Sequence, residues 1–234
     1  MTLCLIFTVL GAAALVLYVR EKLRAFTPRA VLRKTLVSAF FVLTAIAATY
    51  VTAAKGSFGF FITAGLVFGL FGDVWLDLKF VYPDDDEVWS RAGFKSFAIG
   101  HIFFMLGMVL NFADLSKPAY IIVPLLLGVV GGLGAVLAGP IMKLEYGKFR
   151  TISMIYGGFL FGMMLMAGSL ALQHGWQSTT LNMMFIGGIS FVLSDLVLSG
   201  TYFGKGHDKP FDIIANYMTY YGAQFVIALS ILFI

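Results

Sequence analysis

Apolar residues gather in eight stretches, at about residues 2–19, 30–54, 58–80, 92–113, 119–140, 151–172, 179–203 and 211–233. Each is close to the roughly 20 residues a helix needs to cross the hydrocarbon of a bilayer. Turn and charge signals separate them: Thr27-Pro28-Arg29, Lys55-Gly56-Ser57, Pro83 followed by Asp84 to Glu87, Ser116-Lys117-Pro118, Lys143 to Arg150, His174-Gly175, and Gly204 to Pro210. The pattern predicts an all-α polytopic membrane protein with eight transmembrane helices in one domain, residues 1–234. The first stretch has neither a basic leader nor a small-residue cleavage site and is read as a retained helix. The acidic run from Asp84 to Glu87 reads as a solvated loop face.

A shift of 122 residues lays the second half of the chain on the first. Gly72-Asp73-Val74 then falls on Ser194-Asp195-Leu196, Lys34 on Tyr156, and Phe97 to Gly100 on Thr219 to Gly222, while His101 meets Ala223 beside Gln224. The third and seventh helices cross in the same sense. The shift therefore predicts parallel four-helix halves, about 1–118 and 119–234, around a central polar cavity.

Composition narrows the class. Of the 234 residues, 60% are hydrophobic and 12% charged, about half the charged share of a soluble domain; mean hydropathy is +0.93. Secreted, cytosolic and nucleic-acid-binding readings are excluded. The lone Cys4 can form no intramolecular disulfide. With one histidine inside the apolar stretches, a zinc site is poorly supported, and no metal or cofactor is expected.

Charge also orients the chain. Fourteen of the sixteen Lys and Arg residues lie in or beside the first, third, fifth and seventh connections, leaving Lys55 and Lys117 on the other side. By the positive-inside rule, both termini are expected outside the cytoplasm, in the setting of a bacterial inner membrane.

The few polar residues inside the stretches are the candidates for chemistry, because ionisable groups in lipid are costly unless paired or hydrated. At 1.5 Å per residue, Asp73 and Asp195 lie roughly 10 to 12 Å from the cytoplasmic ends of their helices. Two acids at matched depth are the arrangement that acid–base catalysis uses, one carboxyl protonated and its partner ionised. Lys34 reads equally as a headgroup-directed snorkelling side chain and as a counter-charge. His101 reads equally as a packing residue and as a functional one. Tyr220 and Gln224 share a helix face, beside Tyr221. Asp77, one turn beyond Asp73, reads as a solvated helix end; His174 and His207 read as loop residues. The glycine runs Gly128 to Gly134 and Gly157 to Gly162 read as helix-packing surfaces. A proton-coupled transporter or a lipid-binding protein would share matched acids and a central cavity.

Several motifs in order carry a resemblance: Gly72-Asp73, Gly93-x-x-x-Phe97-x-x-x-His101-x-x-Phe104, Ser190 to Asp195, and Tyr220 to Gln224. Together, from Lys34 to about Ser230, they resemble the YhhN family of lysoplasmalogenases. The chain departs from that pattern at Thr35, where a proline commonly follows the lysine, and at Phe104, where a tyrosine is usual. The resemblance implies hydrolysis of the vinyl ether bond of lysoplasmalogen, releasing a fatty aldehyde and a glycerophosphoethanolamine or glycerophosphocholine. Asp73 and Asp195 would be the catalytic acids. Lys34, His101, Tyr156, Tyr220, Tyr221 and Gln224 would line the lysophospholipid site, with the headgroup towards a basic rim of Lys34, Lys143, Lys148 and Arg150.

Overall fold

A computed structural model describes residues 1–24, 28–52, 57–204 and 209–234. The expected turns at Thr27 and Lys55-Gly56, and the loop residues Lys205 and His207, lie outside the described residues. Eight α-helices follow one another: α1 (Thr2–Lys22), α2 (Pro28–Val51), α3 (Phe58–Val81), α4 (Asp86–Phe112), α5 (Ala119–Leu137), α6 (Arg150–Gln173), α7 (Thr179–Phe203) and α8 (Pro210–Ser230). Short 3-10 turns precede α4 and α6 and follow α8. The chain is an all-helical polytopic membrane protein.

Helices α1 to α7 are long and apolar enough to cross a membrane. The eighth predicted crossing helix, α8, is long enough at 21 residues but is too polar to join them. The reason lies on its inner face, where Asn216, Tyr217, Tyr220, Tyr221 and Gln224 are all buried among the other helices. Its outer side carries exposed Phe211, Ile214 and Met218.

α4 starts six residues before its apolar stretch. Asp86 and Glu87 occupy its first turn, where carboxylates offset the positive end of the helix dipole. The acidic run is a solvated face at Asp84 and Asp85, which are exposed, and its last two residues also pair with bases. Lys148 Nζ lies 3.2 Å from both Asp86 Oδ1 and Glu87 Oε2, and Arg91 Nε lies 2.8 Å from Glu87 Oε1. Half-exposed pairs of this kind contribute little individually, but they tie the start of α4 to the start of α6.

Neighbouring helices pair as hairpins: α1 with α2, α3 with α4, α5 with α6 and α7 with α8. α2 also packs on α3, α6 on α7, α4 on α6 and α2 on α8. Exchanging α1–α4 for α5–α8 maps these contacts onto one another, whereas those of α8 with α1 and α3 have no counterpart of like extent. α1 and α5 are the peripheral members of the two halves. The ends of α3 and α7 come together at the base-rich end, where Lys79 Nζ lies 3.2 Å from the Tyr202 ring centre.

Small residues set the closest approaches. Gly65 on α3 meets Phe104 and the Gly100 carbonyl of α4, and at the matching place Gly187 on α7 meets Ile227 and the Ala223 carbonyl of α8. Gly128 and Gly132 of α5 lie against the backbone of Gly158 and Gly162 on α6, a small-xxx-small contact in which bare backbones replace side chains. A Cβ at Gly132 would run into the Met154 carbonyl oxygen and the Gly158 amide. Gly132→Val is therefore expected to prise α5 from α6 and destabilise the protein by about 1–3 kcal/mol. Thermal unfolding in detergent checks this; an unchanged midpoint would contradict the contact.

Candidate functional site

Burial of Lys34 organises the first half of the site. This residue is only 5% exposed, so it does not snorkel to the headgroups, nor does it join the rim. Its Nζ lies 3.1 Å from Asp77 Oδ1 and 3.3 Å from Asp73 Oδ1. Asp73 and Asp77 are one helical turn apart on α3 and present both carboxyls to α2. Asp77 is 1% exposed, which corrects its reading as a solvated helix end. Tyr18 of α1 caps it, with the hydroxyl donating to Asp77 Oδ2 at 3.1 Å and lying 2.8 Å from the Tyr217 hydroxyl of α8. Three neighbouring helices, α1, α2 and α8, thus cover a carboxylate that the apolar pattern placed at the water edge.

Asp73, 2% exposed, accepts from two more donors. Ser38 Oγ and Tyr220 Oη lie 2.6 and 2.7 Å from its Oδ2. Gln224 Nε2 donates to the Tyr220 hydroxyl at 2.9 Å, the i, i+4 pair expected from spacing, and the Tyr221 hydroxyl lies 3.4 Å from Ser38 Oγ. Three donors, one an ammonium, surround the Asp73 carboxylate, the kind of pairing under which a buried charge is tolerated.

The second half repeats the geometry with different chemistry. Tyr156, which the shift places on Lys34, donates to Asp195 Oδ2 at 2.5 Å. Among the described residues no cation pairs with Asp195. Asp195 is only half-buried, unlike Asp73. Beside it, Asn216 Nδ2 donates to the Ser194 carbonyl at 2.9 Å, and Ser194 Oγ donates back to the Asn216 carbonyl at 3.3 Å, fastening α7 to α8.

The two acids share one cavity. Lys34, Asp73, Tyr156, Asp195, Asn216 and Tyr220 are among its lining residues, with Phe94, Phe97 and Phe191 as apolar walls. The space open to the centre of a water molecule is about 30 Å³, room for one or two waters. A second cavity of about 70 Å³ adjoins it through Phe94, Tyr156, Asp195, Leu198 and Tyr202, and runs between α5, α6 and α7.

Of the expected site residues, Lys34, Asp73, Tyr220, Tyr221 and Gln224 form one connected cluster, and Tyr156 and Asp195 a second facing it. His101 joins neither. It is buried edge-on against Phe191, with ring centres 4.9 Å apart, and packs behind Tyr156 at 5.8 Å; neither ring nitrogen has a hydrogen-bond partner among the described residues. Lys148, expected on the basic rim, is engaged by Asp86 and Glu87. Tyr18, Ser38, Asp77, Asn216 and Tyr217 were not anticipated. The signal available for Asp77 was its four-residue spacing from Asp73, which puts it on the same buried face.

Removing the ammonium would leave two buried carboxylates facing each other. Lys34→Met is expected to destabilise the protein by about 3–5 kcal/mol, and Lys34→Met/Asp77→Asn to recover much of that loss because the two residues are coupled. A double-mutant cycle of unfolding midpoints measures this; additive effects would show that the ion pair is not a unit.

No curated protein and no solved structure matches the chain. The sequence profile of the YhhN family matches residues 29–231, from the start of α2 to the final turn after α8. The match takes in both aspartates, both of their α2 and α6 partners, and every helix except α1. The chain belongs to the YhhN family.

Proposed function

We propose that the protein is a membrane hydrolase that cleaves the vinyl ether bond of lysoplasmalogen, releasing a fatty aldehyde and a glycerophosphoethanolamine or glycerophosphocholine. One observation carries the reading: Asp73 and Asp195 line a single small cavity but have opposite partners. Asp73 is held by an ammonium and two hydroxyls, whereas Asp195 has only a phenol. Pairs of carboxyls in contrasting surroundings are how acid and base roles are divided at one pH.

Vinyl ethers resist base and open to acid. Asp195 takes the part of general acid and gives its proton to the alkenyl carbon β to the ether oxygen, leaving an oxocarbenium ion. The Asp73 carboxylate stabilises that cation and takes a proton from the water that attacks it, the division of labour found in glycosidases. The product is a hemiacetal. In its collapse, Asp73 returns the proton to the departing glycerol oxygen and Asp195 recovers one from the hemiacetal hydroxyl. The carbon–oxygen bond to glycerol breaks, the aldehyde forms, and both carboxyls regain their starting states. Lys34, shared with Asp77, keeps Asp73 available as a carboxylate throughout.

In this reading the base-rich end faces the cytoplasm and both termini lie on the opposite side, as the distribution of Lys and Arg requires. The membrane supplies a single-chain amphiphile directly, with its tail already in lipid.

Asp73→Asn and Asp195→Asn are each expected to lower aldehyde release from a lysoplasmalogen by about 100- to 10,000-fold, measured on purified protein in detergent. Near-wild-type turnover by either variant would overturn the assignment. Absence of any aldehyde from wild-type protein, with flux of substrate in sealed vesicles, would replace it with transport.

A further inference from the structure

The two halves differ beside their aspartates: among the described residues the place in the first half is covered, and that in the second opens onto a cavity. In the first half, the position matching the end of α5 is filled by α1, which runs on to Lys22 and places Tyr18 over Asp77. The residue matching Tyr18 is Pro140, a residue that cannot continue a helix interior. α5 accordingly ends at Leu137, whereas the residue matching Lys22 is Leu144. A turn takes the place of the missing helical segment. It is held by the Leu144 amide on the Gly139 carbonyl and the Glu145 amide on the Phe203 carbonyl, both at 2.8 Å. Ser199 stands where Asp77 stands in the first half, so among the described residues no ion pair fills the space. What is left is the cavity between α5, α6 and α7 that leads to Asp195.

That cavity is graded along the helix axes. Its hydroxyl groups, those of Ser153, Ser199, Tyr146 and Tyr202, lie towards the base-rich end among apolar Met142, Leu144 and Phe203; on the other side of Asp195 the lining, with Leu160, Phe161 and Val192, is apolar. Ser199 lies about 6 Å to one side of Asp195 along α7 and Val192 about 4.5 Å to the other. Tyr156 divides Ser153 from Leu160 on α6 in the same way. The Ser153 hydroxyl is buried and has no hydrogen-bond partner among the described residues. Exposed Leu196 and Met142 mark the mouth on the outer surface. α5 and α7 flank it on either side of α6.

We propose that this crevice seats a single-chain ether lysolipid. Its glycerol hydroxyl and headgroup lie against the hydroxyl-lined end, its ether linkage lies at Asp195, and its alkyl chain runs past Leu160 and Val192 and leaves between α5 and α7 into the bilayer. The occupant follows from the lining: polar, acidic and apolar groups succeed one another in the order in which a lysolipid presents headgroup, ether and chain. The closed first-half crevice makes access one-sided. Asp195 is the acid the ligand meets, and Asp73 serves from behind it. The inference rests on the lysolipid reading of the site and adds the route, the orientation and the half of the molecule involved.

The test uses a saturated 1-O-alkyl lysophosphoethanolamine, which has no vinyl ether to cleave, carrying a diazirine a few carbons from the ether oxygen, on the part of the chain that passes Leu160 and Val192. Photolysis with wild-type protein is expected to label peptides of α5, α6 and α7 around Val136, Leu160, Phe161 and Val192. Leu196→Trp, which sets a large ring at the mouth, is expected to weaken binding at least tenfold. Val129→Trp is expected to bind like wild type; Val129 lines a larger apolar groove of about 490 Å³ between α4, α5 and α6 that does not reach the acids. Labelling confined to that groove or to α1–α3 would overturn the proposal, as would equal affinity of wild type and Leu196→Trp or a loss confined to Val129→Trp. Because the probe is not a substrate, labelling in the crevice stands even if wild-type protein releases no aldehyde. Aldehyde release with labelling elsewhere removes the route and leaves the hydrolase reading.

Discussion

An ammonium group inside a lipid-embedded bundle is tolerated only when its charge is met on the spot. Lys34 meets that demand with two carboxylates one turn apart on α3, and much of the first half follows. α1 must run far enough to bring Tyr18 to Asp77, α2 must face α3 closely enough for Ser38 to reach Asp73, and α8 must turn its tyrosines inward. The polarity that disqualifies α8 as a plain apolar span is the polarity that this charge requires. One buried cation thereby fixes the position and the partners of Asp73, and with them one wall of the cavity.

The second half shows what the same framework does without the cation. Tyr156 takes the place of Lys34 and Ser199 that of Asp77, so Asp195 is left with a phenol where Asp73 has a salt bridge. Proline at 140 shortens α5 and leaves a crevice where α1 would otherwise close it. Symmetry in the backbone and asymmetry in a handful of side chains give two acids of matched depth, different surroundings and unequal access. In the proposed hydrolase, acid and base roles would be divided in this way without new elements, by different side chains at matched positions.

Much of this was legible in the sequence. The spans follow from apolar run lengths, the glycine contacts from small-residue spacing, and the matched acids from the 122-residue shift. The shift even pairs Lys34 with Tyr156, and both prove to be the donors to their aspartates. What was not legible depends on how helices cover one another. Asp77 sits three residues from the end of an apolar stretch, and distance along one helix cannot reveal that Tyr18 and Tyr217 close over it. His101 had the residue type of a catalytic group, but its ring is turned into Phe191 and the back of Tyr156, a matter of helix rotation that periodicity does not resolve. The closing of one crevice and the opening of the other depend on where α5 stops, and the apolar stretch runs through Pro140 without a break in hydropathy.

The central claim is that a carboxyl in this cavity protonates carbon, and isotopic labelling of the product tests it most directly. Lysoplasmalogen hydrolysed by the purified protein in D₂O enriched in H₂¹⁸O, with the aldehyde trapped by reduction as it forms, is expected to give a product with one deuterium on the carbon next to the former carbonyl and ¹⁸O on the aldehyde-derived oxygen. The glycerol product is expected to keep its original oxygen. An aldehyde-derived product without deuterium at that carbon, or ¹⁸O in the glycerol, would contradict carbon protonation followed by water capture and with it the roles given to Asp195 and Asp73.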